Sequence, residues 1–346
     1  MSGKRHHFVP RFLQSGFSSH RNGNNLFTWV YRKKSAPFNT NIINVGLEGG
    51  FYSLEGDSEV DDAITLQESG YSGLIQALRE GREESLSEPH TIADLLAHLE
   101  VRSRHLRQNF LRTADHLATE LLRFLEDGEA FGSYIKRKIL NDHTMLKGVI
   151  EEELKQRGIE LTAAQIDEIV RASRPMLEAN LPAMDDLASI VNHFKSSIPK
   201  IISSASKTGH INALRKTLSP PVKKDVYSSL KFHVIHSPDC EIPLGDSMLI
   251  FQLEGERKFK PFFEIDDRME AIYLPLSSDR VLVGRTNDAA IDLSDLPLAI
   301  AKCSLEYFIS GKKSAGNDIL RDHIGDCAHM LSHEQIAALI EEIKET

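Results

Sequence analysis

The chain has 346 residues, 41% of them apolar and 26% charged, and a net charge of −9. That length supports one large or two modest domains without a staple of disulfides or metal, and the composition excludes a disordered or collagen-like chain. The longest strictly apolar runs, such as residues 336–340, fall far short of the ~20 residues of a membrane helix, so no membrane partner is expected. The first residues show no secretory signal, and three cysteines without a Cys-x-x-Cys pair point to the cytoplasm.

Charge is unevenly spread. Residues 1–47 hold seven lysines and arginines, three histidines and no acid, leaving 34 basic and 50 acidic side chains for the rest. A basic segment on an acidic body either docks on that body or faces phosphate.

In chain order, residues 9–13 open a short helix with Pro10 near its start. Asn22-Gly23 marks a tight turn before the aromatic and β-branched run 26–31, and short strands are expected at 41–45 and 51–54. From about residue 60 to 217 the apolar period becomes helical. Residues 60–82 have an acidic first turn, and 91–126 read as one long helix with Leu95, Leu96, Leu99, Leu106 and Phe110 on one face. Further helices are expected near 130–157, 162–180 and 182–217. Strands return at 232–236, 248–253, 261–265, 271–276 and 280–284, before two closing helices at 294–309 and 333–344. The expected fold is α+β: a mixed or antiparallel sheet built from the N- and C-terminal segments with a central helical bundle. Residues 1–58 and 225–315 would form the sheet domain, 59–224 the bundle and 316–346 a C-terminal helical extension.

Three groups of residues could carry chemistry. Adjacent His6 and His7 in an extended segment point to opposite faces, so one of them can enter a given site. With Val9-Pro10 after them, they are similar to the first element of His-metal finger (HNH-type) nucleases, in which a histidine activates water beside a divalent metal. The plain alternative is a hydrogen-bonded core histidine. On the long helix, His98, Arg102, His105, Asn109, Arg112 and His116 fall on one stripe, either a solvated face or a face for phosphate or carboxylate. Asp246 stands at the start of a strand, as a turn residue or a functional carboxylate. The spacing in 323–329 matches no zinc framework, and the phosphate-loop, dinucleotide and nucleophile-elbow motifs are missing, so no nucleotide cofactor is expected.

The opening Lys4-Arg5-His6-His7-Phe8-Val9-Pro10-Arg11-Phe12-Leu13, with Phe17 after it, resembles the signature of the family called domain of unknown function 4238. The strand and turn 26–34, Phe51-Tyr52, Arg102 on a mid-chain helix, Gly245-Asp246-Ser247 and Leu274-Pro275-Leu276-Ser277 are similar to its later elements. The resemblance implies no activity, but it selects His7, Arg102 and Asp246. The resulting expectation is a metal-dependent, nuclease-like effector acting on a phosphodiester or other anion, with nucleic acid as partner and Mg²⁺ or Mn²⁺ as cofactor. His7 is its general base or a metal ligand with Asp246, His6 is auxiliary, Arg102 neutralises charge, and Arg5, Arg11, His98 and His105 bind substrate. The rival is a non-catalytic nucleic-acid- or protein-binding module whose His/Arg/Asp network is structural.

Overall fold

The computed structural model describes residues 5–54, 57–127, 143–179, 184–238, 240–255, 258–264, 267–287 and 290–329. The chain divides into two units, Met1–Arg112 with Ala205–Glu334, and Thr113–Ser204 with Gln335–Thr346. These boundaries leave the first two long helices with the strands, where the sequence reading had drawn its lines at 58 and 224.

Strand β1 (Arg5–His7) runs into the short helix α1 (Arg11–Gln14), with Pro10 extended just ahead of it. Strands β2 (His20–Asn22) and β3 (Asn25–Arg32) form the hairpin that Asn22-Gly23 predicts, with Gly23 at φ +58°. Strand β4 (Phe38–Asn41) pairs with the other edge of β3, and β5 (Leu47–Gly49) returns to pair with β1. Residues 42–44 form a 3₁₀ turn and 51–54 are not a strand, so the ladder falls between the two runs that local composition favoured.

Helix α2 (Glu59–Arg79) opens on Glu59, Asp61 and Asp62, as its dipole favours. The long helix expected at 91–126 is two: α3 (Pro89–Arg102) and α4 (Arg104–Glu126), broken by Ser103 in extended conformation (φ −65°, ψ 143°). Then come α5 (His143–Gln156), α6 (Ala163–Ala179), α7 (Met184–Lys216) and α8 (Pro221–Ser228). In the second unit α5 packs on α6, joined by a Lys147–Asp167 ion pair of 2.8 Å. In the first, α3 buries Ile92, Leu95, Leu96 and Leu99 and packs against α8.

Strands β6 (Lys231–His236), β7 (Leu244–Gly245), β8 (Ile250–Leu253), β9 (Phe259–Lys260), β10 (Met269–Ser277) and β11 (Arg280–Arg285) follow. Helix α9 (Leu296–Cys303), strand β12 (Tyr307–Ser310) and helix α10 (Ala315–Arg321) come after them. The helix expected at 294–309 thus ends at Cys303 and its tail is a strand. The helix expected at 333–344 lies outside the described residues.

The fold is α+β, and among the described residues every strand pair is antiparallel. The two ends of the chain do share a sheet, ordered β2-β3-β12-β7 with β4 on the far edge of β3. The strands between 231 and 285 mostly build a second sheet, β6-β11-β10-β8-β9, a correction to the single sheet expected from the pattern. One apolar core joins Leu13 and Val30 of the N-terminal segment to Ile75 of α2, Leu96 of α3 and Phe251 and Leu274 of the second sheet. No helix among the described residues is long and apolar enough to cross a membrane.

Candidate functional site

The β1–β5 ladder sets His6 opposite Glu48 and His7 opposite Leu47, and the pleat turns the two imidazoles to opposite sides. His6 points inward, 3% exposed. Its Nδ1 accepts the Tyr52 backbone N–H at 2.8 Å, its ring stacks on that of Tyr52, and its Nε2 lies 3.7 Å from the Asp61 carboxylate. His6 is thus held inside the protein, with Nδ1 bonded to the Tyr52 backbone and Nε2 facing Asp61.

His7 is half-buried, and its Nδ1 lies 3.1 Å from the Val45 carbonyl. A carbonyl only accepts, so Nδ1 carries the hydrogen and Nε2 keeps the lone pair. Burial holds the His7 pKa below its usual 6.5, helped by the charges of Arg11, Arg102 and Arg5 and opposed by the Val45 bond. Gly46 makes this geometry possible at φ +66°, with its own carbonyl accepting from the N–H groups of Phe8 (2.7 Å) and Val9 (3.2 Å). Gln14 donates through Nε2 to Val9 O (2.8 Å) and Val45 O (3.1 Å), holding the same carbonyl from the other side.

Arg102, the last residue of α3, is 1% exposed. Its guanidinium donates to the His7 backbone carbonyl and, at 3.2 Å, to the Tyr52 hydroxyl, and it pairs with Glu68. The Tyr52 hydroxyl donates in turn to the Arg102 carbonyl at 2.9 Å. His98 Nδ1 faces the Leu218 carbonyl at 3.2 Å and so carries the hydrogen, leaving the Nε2 lone pair toward Arg102 Nη1 at 3.4 Å. Burial drops the His98 pKa to about 4, keeping it neutral. Arg102 therefore has no face open to a substrate. Its donors go to the His7 backbone, the Tyr52 hydroxyl and Glu68.

Two further expectations are displaced. His98 and His105 are buried, His105 beside Phe262, so neither reaches a substrate from solvent. Asp246, also buried, accepts the backbone N–H groups of Leu305 (2.7 Å), Glu306 (2.8 Å) and Tyr307 (3.3 Å), and burial pushes its pKa up to about 6. It clamps the chain leading into β12, and neither His7 nor Arg102 is among these partners. Among the described residues no three of His, Cys, Asp and Glu converge as metal ligands. Arg5 and Arg11 are exposed on either side of His7 in sequence, Arg5 reaching Asn44 Oδ1 at 3.2 Å.

The family model matching the chain is described as protein of unknown function (DUF4238) and covers residues 5–302. The chain belongs to that family. No curated protein and no solved structure matches it. The DUF4238 span takes in His7, Arg102 and Asp246 and stops just before the segment that Asp246 clamps. Glu68, Gln14 and Gly46 were missed by sequence reasoning. A Val-Gly step 38 residues after a histidine, or a glutamate on an amphipathic helix, carries no local signal of such a contact.

Proposed function

We propose that this chain hydrolyses a phosphodiester or a similar anionic substrate at His7. The observation that carries the reading is the Val45 carbonyl on His7 Nδ1, which leaves Nε2 as the basic nitrogen of a neutral imidazole. Such a group accepts a proton from water or a hydroxyl near neutral pH. Arg5 and Arg11 supply positive charge beside it in a segment without acids. Arg102 holds the His7 backbone from beneath. Mg²⁺ or Mn²⁺ belongs to the proposal as an ion brought with the substrate phosphates, since the described residues offer no three-residue ligand set for it.

The test is cleavage of RNA, DNA and a chromogenic phosphodiester with Mg²⁺, with Mn²⁺ and with chelator. His7→Gln should lower turnover ~10²–10⁴-fold while the melting temperature stays near that of the wild type. The burial of Arg102 and Asp246 favours a second reading, a non-catalytic module in which these residues serve folding alone. No turnover under any of these conditions, with His7→Gln markedly less stable, would select it.

A further inference from the structure

The acid-free N-terminal segment contains a second feature, distinct from His7. Along β3 the side chains alternate: Thr28 and Val30 are buried, while Phe27 and Trp29 lie half-buried on the opposite face. The register sets His20 opposite Phe27 across the hairpin, and residues directly opposite share a face. The exposed His20 ring stacks on Phe27, centroids 4.8 Å apart and 7° from parallel. The Lys313 ammonium stands 5.4 Å from the Trp29 ring centroid. Farther along the face, Tyr31 is sealed with Phe308 and Ile324, and Leu320 of α10 packs on that cluster. Helix α10 therefore covers one end of the sheet face and leaves the end with Phe27 and Trp29 partly open.

Charge says what kind of partner fits. Lys313 stands above Trp29 and Lys34 lies exposed in the turn after β3, whereas Arg21, opposite Leu26, belongs to the other face of the hairpin. Residues 5–47 contribute no acid to this surface. Half-open rings with a cation over one of them and another in the turn beyond suit a polyanion whose bases present flat π faces. A duplex keeps its bases stacked inside and has nothing to offer the rings, and an acidic peptide would use the cations alone.

We infer that the β2–β3 face binds single-stranded nucleic acid, with bases stacking at His20–Phe27 and at Trp29 and the backbone running past Lys313. This is independent of whether His7 cleaves anything, because binding needs no turnover.

Trp29 is the only tryptophan of the chain, so its emission reports on the face directly. The full chain is titrated with short oligouridylate, oligothymidylate and a duplex at low salt, following Trp29 fluorescence and the anisotropy of the labelled strand. Expected are quenching of Trp29 with the same midpoint as the anisotropy change, weaker binding of the duplex, and a loss of about tenfold in affinity for Phe27→Ala. The tighter of the two single strands names the natural one. Phe27 is half-buried, so Lys313→Ser at an exposed site is the second variant. It should keep the melting temperature and reduce the slope of log affinity against log salt by about 0.7. Binding without any change in Trp29 emission, no binding of either single strand, equal binding of the duplex, or equal displacement by polyglutamate would each overturn the assignment.

Discussion

The guanidinium of Arg102 donates to the backbone carbonyl of His7, 95 positions earlier in the chain. The contact joins the end of α3 to the strand that carries both histidines. Because Arg102 also takes Tyr52 and Glu68, it holds three separate segments at one point. An arginine's planar fork of donors suits this, since lysine offers a single centre of charge.

Removing one member of a buried ion pair leaves the other charge uncompensated. Arg102→Met should therefore cost about 3–5 kcal/mol, toward the lower end because Glu68 is 24% exposed and partly solvated. The double variant Arg102→Met/Glu68→Leu should be more stable than the two single losses added together. Urea unfolding of the four proteins measures the coupling, and strict additivity would show that the two groups do not interact.

Acid should act on this protein in two opposed ways. His98 and His210 both have pKa values lowered by burial from 6.5 to about 4. As pH falls through that window the unfolded chain binds protons the folded one refuses, so each histidine's contribution is lost, up to ~3 kcal/mol. Asp246 runs the other way, raised from 3.8 to about 6, so the folded chain protonates first and gains stability as pH falls through that range. Unfolding at pH 7 and about pH 5 (near the middle of both windows) should show His98→Gln and His210→Gln flattening the acid loss. Asp246→Asn should steepen it. A flatter profile for Asp246→Asn would mean that its carboxylate is stabilised as the anion.

Gly46 is the position whose side chain is most directly excluded near His7. A Cβ there would sit 2.8 Å from Val9 Cβ, 3.0 Å from the Tyr307 hydroxyl and 3.2 Å from Gln14 Nε2, on a backbone already at φ +66°. Gly46→Ala should destabilise by more than ~1 kcal/mol and pull the Val45 carbonyl from His7. Nitrogen chemical shifts of the His7 ring would then lose the Nδ1–H preference expected of the wild type. An unchanged tautomer would mean that something other than Val45 sets it.

Much of the fold was legible because it is written locally. The hairpin at Asn22-Gly23, the acidic first turn of α2 and the strands β6, β8, β10 and β11 each follow from turn chemistry, helix dipole or apolar alternation. What was not legible depends on distant partners. Ser103 breaks a helical period without glycine or proline, because Arg102 and Arg104 go to different neighbours: Arg102 to His7 and Tyr52, Arg104 to Glu48 and Glu306. Tyr307–Ser310 follows a helical stretch with no strong breaker, and becomes a strand because β3 and β7 accept it as a partner. At the site, alternation along β1 separated the roles of the two histidines, but nothing local told which one turns inward. The pairing with β5 decides that. Arg102 and Asp246 stood out for their chemical type and neighbours, yet those features do not reveal that Asp246 bonds to backbone N–H groups or that Arg102 reaches the His7 carbonyl.

The pairing of β3 with β12 also sets an order of assembly. Thr28 Oγ1 donates to the Ser310 carbonyl, 282 residues farther on. The first hairpin can form as soon as it is made, but the half of the β3 edge at residues 29–32, beyond β2, has no partner until most of the chain has followed it. Contacts of such long sequence separation form slowly, and an unfilled strand edge is the kind of surface that recruits other chains. During synthesis this protein carries an early, waiting template at its N-terminal end, and expression at low temperature or with a strand-holding chaperone should raise the yield of folded chain.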